Sequence, residues 1–102
     1  MTPERATTPR EGRLIEVEVR VQTRSGHQAL ASRWAELAEG ATIDGLLRHL
    51  SGPCGFDVRD AIVEDRSYFL VVNGAYCDAS RCLDRRLENG DSVAVLPLVA
   101  GG

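Results

Sequence analysis

Over residues 13–22 apolar and polar side chains alternate. Ile15, Val17, Val19 and Val21 share one side, and Glu16, Glu18 and Arg20 the other. A period of two built on β-branched residues predicts a half-buried strand. Ser25-Gly26 supplies a turn signal, and a second strand is expected over residues 32–37 with Trp34 partly buried. The period then changes. Ile43, Leu46, Leu47 and Leu50 fall at i, i+3, i+4 and i+7, one apolar helical stripe. Thr42 is placed to cap this helix, and Asp44 puts a negative charge in its first turn. Gly45 weakens it, and Gly52-Pro53 is expected to stop it.

Residues 54–66 read as irregular, with one short helical turn through Val58, Ala61 and Ile62. Residues 68–72 form a strongly apolar strand that runs into Asn73-Gly74, a two-residue hairpin signal, and Ala75-Tyr76-Cys77 begins the return strand. Residues 83–87 read as a connection. Asn89-Gly90-Asp91 is a second turn before a last strand over residues 92–96, which Pro97 ends. One helix against a mixed sheet of four or five strands is an α+β architecture. The Val-rich first and last strands suit the centre of that sheet.

A length of 102 residues suits one domain. The expected division is a disordered lead over residues 1–12, a domain over 13–97 and a flexible tail over 98–102. The polar lead has no apolar centre of the secretory type, and no stretch is long enough to cross a bilayer. The expectation is a cytoplasmic protein. A net charge of −3 gives no electrostatic support for nucleic-acid binding. Every basic residue is Arg, so the chain offers no lysine amine for an isopeptide bond. Three Cys, an odd number, argue against a disulfide framework and for reduced thiols at Cys54, Cys77 and Cys82.

The candidate chemistry lies at the end of the chain. Leu98-Val99-Ala100-Gly101-Gly102 carries no charged side chain, and its bulk falls toward the end. A thread ending in two Gly can enter a narrow channel, because Gly has no Cβ and a wide choice of backbone angles. A terminal carboxylate at Gly102 becomes an electrophile once it is adenylated, and then accepts sulfide, a persulfide or an amine. The bland alternative is a frayed, unused end.

Gly40-Ala41-Thr42-Ile43 before Leu46-Leu47, then Val72-Asn73-Gly74, then residues 87–93, then Pro97 and Val99-Ala100-Gly101-Gly102, resemble in order and spacing the MoaD/ThiS family of sulfur carriers. These are ubiquitin-like proteins of the β-grasp fold. The resemblance implies that an E1-like adenylyltransferase of the MoeB/ThiF type, using ATP and Mg²⁺, activates Gly102. Sulfur from a donor such as a persulfide then converts it to a thiocarboxylate, with Gly101 as its slender neighbour. The ending is most similar to the small subunit of molybdopterin synthase, in molybdenum cofactor biosynthesis. A large catalytic subunit of the MoaE type would then receive the tail. Tyr76, Leu96, Pro97, Leu98, Val99 and Ala100 are the implied partner contacts. Leu98 stands where the family often has a second Pro.

Three readings remain. The first is a sulfur carrier, for molybdopterin or else for thiamine or another specialised pathway. The second is a ubiquitin-like modifier conjugated through Gly102. The third is a non-covalent β-grasp module with an unused tail. None is a stand-alone enzyme, and the expectation is that the chain binds no cofactor and no metal. Cys77 and Cys82 have the C-x4-C spacing that opens some iron–sulfur motifs, but three Cys cannot complete a four-thiolate cluster. His27 and His49 read as surface residues. Asp57, Asp60, Glu64 and Asp65 read as a solvated loop.

Overall fold

A computed structural model describes residues 13–23 and 28–98. The order is β1 (Leu14–Gln22), β2 (Gln28–Ala38), α1 (Ile43–Cys54), α2 (Val58–Val63), β3 (Tyr68–Val72), β4 (Ala75–Cys77), α3 (Ala79–Cys82) and β5 (Ser92–Pro97). The five strands make one mixed sheet in the order β2-β1-β5-β3-β4. β1 runs parallel to β5, and the other pairs are antiparallel. This is the ubiquitin-like β-grasp arrangement.

Its layering follows from the two periods in the sequence. Ile15, Val17, Val19 and Val21 of β1 are buried, as are Val93 and Val95 of β5 and Leu70 and Val72 of β3. The stripe of α1, Ile43, Leu46, Leu47 and Leu50, closes over them and is at most 1% exposed. Thr42 Oγ1 accepts from the Gly45 N–H at 3.2 Å, which is the expected cap. Arg48 and Arg59 both donate to the Asp44 carboxylate, joining the two helices. Among the described residues the opposite face of the sheet is open, with Glu16, Arg20 and Trp34 exposed on it.

Several boundaries differ from the sequence reading. β2 covers Gln28–Ala38, longer than residues 32–37. Helix α1 does not stop at Gly52-Pro53 but carries Pro53 in its last turn, ending at Gly55 with φ 80°. There a proline removes one hydrogen bond and its ring angle is helical, so it is tolerated. Gly55 then takes the left-handed C-terminal position that glycine suits. The short helical turn expected through Val58, Ala61 and Ile62 is present as α2. Asp57, Asp60, Glu64 and Asp65 are solvated as expected but lie on or beside that helix rather than in a loop. Asp57 caps α2 by accepting from the Asp60 N–H at 2.9 Å. Pro97 is included in β5, paired with Tyr68 at the sheet end. Trp34 is 57% exposed, not partly buried, because Ala35 and Leu37 take the core side of β2 opposite Val17 and Ile15.

Two of the three Cys lie close together: Cys77 and Cys82 have Cα atoms 6.6 Å apart. β4 ends at Cys77, and Asp78 then caps α3, which turns Cys82 back toward the strand end. Cys54 carries no disulfide, and burial pushes its thiol pKa up.

Candidate functional site

The site is assembled around the end of β5. That strand lies in the middle of the sheet, with β1 on one side and β3 on the other. Its last pairing is Tyr68 with Pro97, and one residue on, the Leu98 N–H donates to the Ser67 carbonyl at 2.8 Å. The chain is therefore held by backbone bonds up to the residue from which the tail departs. Val99, Ala100, Gly101 and Gly102 lie outside the described residues, as do the lead over residues 1–12, the turn at Ser25-Gly26 and His27.

A rim of apolar side chains surrounds this exit. β4 is only three residues long, so it covers β3 opposite Leu70–Val72 and leaves Tyr68 and Phe69 uncovered on that side. A groove of about 440 Å³ results, lined by Ile62, Tyr68, Phe69, Tyr76, Cys77 and Leu98 among others. Tyr76 and Leu98 are 70% and 53% exposed, which places both at the surface of the groove. Phe69 and Tyr76 have ring centroids 6.2 Å apart, a favourable aromatic separation, and Phe69 pairs directly with Leu96 across the sheet. The structure thus brings Tyr76, Leu96, Pro97 and Leu98 to one end of the sheet. Phe69 was missed in the sequence, although alternation about the buried Leu70 assigns it to the open face.

A polar knot at the other end of β5 fixes its position. Asn73 and Gly74 take positive φ values of 52° and 82°, the geometry of a tight hairpin between β3 and β4. The Asn73 side chain accepts from the Ser92 N–H at 2.8 Å and donates to Asp91 at 3.0 Å. Asp91 in turn accepts from the Glu88 N–H at 2.8 Å. Burial alone would raise the Asp91 pKa, but these hydrogen bonds outweigh it and hold the carboxyl below its ordinary value. The Asn89 side chain accepts from the Glu16 N–H at 2.8 Å, tying the same turn to β1.

Such a site can present a tail to another protein. Among the described residues no group of three or more His, Cys, Asp or Glu side chains is placed to hold a metal ion. Nor is any described helix long and apolar enough to cross a membrane.

The sequence profile of the ThiS family matches residues 20–102. The chain belongs to the ThiS family. Its members are ubiquitin-fold sulfur carriers. No curated protein matches the chain in sequence. Among solved structures it is similar to a Pyrococcus furiosus protein assigned as subunit 1 of molybdopterin converting factor. The identity is 26% and the TM-score 0.59, covering 83% of this chain and 99% of that one. Two further likenesses bear on the fold alone. The Haloferax volcanii HVO 2177 protein is 24% identical with a TM-score of 0.62, covering 87% of this chain and 88% of that one. The small archaeal modifier protein 1 of Methanosarcina acetivorans is 18% identical with a TM-score of 0.56, covering 88% and 99%.

Proposed function

We propose that this ThiS-family chain carries sulfur on Gly102 and delivers it in molybdopterin synthesis. The observation that carries this reading is the geometry of the exit. Leu98, the residue before the tail, follows the end of a central strand and stands with Tyr76 among exposed apolar side chains that a partner can cover. The similarity to a molybdopterin converting factor subunit supports the choice of pathway.

The residues divide the work. An E1-like adenylyltransferase seats the groove at Tyr76 and Leu98, and the backbone bond from Leu98 to Ser67 fixes where the tail starts. Val99 and Ala100 line the way into the channel, and Gly101 passes its narrowest part. In the partner's site ATP and Mg²⁺ supply activation. The Gly102 carboxylate attacks the α-phosphorus and pyrophosphate leaves. The outer sulfur of a persulfide donor then displaces AMP to form an acyl disulfide. A second thiol attacks the donor's inner sulfur, releasing the thiocarboxylate and leaving the donor as a disulfide. A large catalytic subunit of the MoaE type covers the same rim. There the thiocarboxylate sulfur bonds to the pterin precursor and water cleaves the resulting thioester, leaving the sulfur on the pterin and the carrier as a carboxylate.

Gly101→Val tests the threading. Thermal unfolding should be unchanged, because position 101 lies beyond the last paired residue, while activation should fall at least tenfold. Equal activation of the variant would remove the threading step. The pathway is tested by mixing the thiocarboxylated chain with a large molybdopterin-synthase subunit and its pterin precursor. Sulfur should appear on the pterin. Covalent adducts on protein lysines with no sulfur on the pterin would instead make Gly102 the end of a modifier.

A further inference from the structure

The open face at the opposite edge of the sheet has a different character. β2 is the edge strand there, and Trp34 stands on it 57% exposed. Trp34 is directly across from Glu18 of β1, and Glu36 is directly across from Glu16. Like charges opposite each other on one face destabilise a sheet. The described ion pairs join Arg13 to Glu39 and Asp44 to Arg48 and Arg59, and supply no cation to Glu16, Glu18 or Glu36. Glu18 is instead held in place by the Ser32 hydroxyl, which donates to it at 2.7 Å. Among the described residues of this face Arg20, two residues further along β1, is the basic one. The register shifts of β2 against β1 lie in its first half, between residues 28 and 33. From Arg33 to Ala38 it pairs with β1 without a register shift, and it contains no Pro. Prolines and bulges are the usual devices against edge pairing.

We propose that this face docks an extended, arginine-bearing segment of a partner protein. Such a segment adds a strand to the outer edge of β2, and its backbone supplies the hydrogen bonds. Every second side chain then lies on the Trp34 side of the sheet. An arginine there stacks on the indole ring and directs its guanidinium fork to Glu36 or Glu18. It also relieves the repulsion between Glu16 and Glu36. The chemistry chosen is complementary in both respects, a flat cation for a ring set among carboxylates. The groove near Leu98 is at the β4 edge, so both surfaces can be occupied at once.

Trp34 is the chain's single Trp, so its fluorescence reports the site directly. The full chain is titrated with a synthetic peptide of alternating Arg and Val, and with one of alternating Glu and Val. The Arg peptide should shift the Trp34 emission saturably, and raised salt should weaken it. The double variant Glu18→Gln/Glu36→Gln should bind it about tenfold more weakly. No saturable shift, an equal response to the Glu peptide, or full affinity in the double variant would overturn the proposal. So would binding that appears only after residues 1–12 are deleted, since the occupant would then be the chain's own lead.

Discussion

Asn73 joins the β3–β4 hairpin to the turn before β5. It accepts a φ of 52°, which costs an alanine about 1–2 kcal/mol, and its amide ties the hairpin to Asp91 and Ser92. Asn73→Ala should therefore lower stability by about 2–4 kcal/mol in denaturant unfolding. Gly45 is the reverse case. It lies exposed in α1, and an added Cβ would meet only Thr42 Oγ1, at an ordinary 3.6 Å. Gly45→Ala should raise stability by up to about 1 kcal/mol, read as a higher unfolding midpoint. Both roles were legible in part. Asn-Gly announces a turn, and Gly announces a weak helix position. The bonds from Asn73 to residues 91 and 92 were not legible, because they cross 18 and 19 positions of sequence. Trp34 was misjudged for a local reason. Its facing depends on which alternate set of β2 meets β1, and Ala35 is a weak marker of a core side.

Strand β1 and helix α1 could be read from period alone, since each puts its apolar residues on one side, and β5 from its short apolar run between turn signals. The short elements could not. β4 and α3 have three and four residues, too few for any period to emerge. The approach of Cys77 to Cys82 rests on those two elements meeting, so their spacing in the sequence did not reveal it. The contact between α1 and α2 was hidden for the same reason, and it has a pH signature. The Arg59 guanidinium, with Arg48, holds Asp44 below its ordinary value of 3.8. A carboxyl lowered on folding adds stability above its unfolded pKa and loses it as pH falls through the folded one. Asp44→Asn should thus melt below the parent chain at neutral pH. The gap between the two should close as pH is taken below about 4. A constant gap across that range would mean the two arginines do not act on the ionised form.

At the scale of the whole molecule, the sheet separates its tasks. One face holds the core under α1, the β4 edge carries the groove and the exit, and the β2 edge carries Trp34. The fold was legible because its elements are written in order along the chain. The groove was legible only through Tyr76 and Leu98, since its depth comes from the shortness of β4. Tyr76→Ser should slow activation by an E1-like enzyme about tenfold, mainly through KM, and leave unfolding nearly unchanged, because the side chain is 70% exposed. The most direct test of the carrier account is the intact mass of the chain. It is measured after incubation with ATP, Mg²⁺, a sulfur donor and an E1-like adenylyltransferase. The account predicts a gain equal to one oxygen replaced by sulfur, located on the peptide that ends in Gly102. An unchanged mass, while another ThiS-family carrier is converted in the same tube, would contradict it and leave a β-grasp binding module.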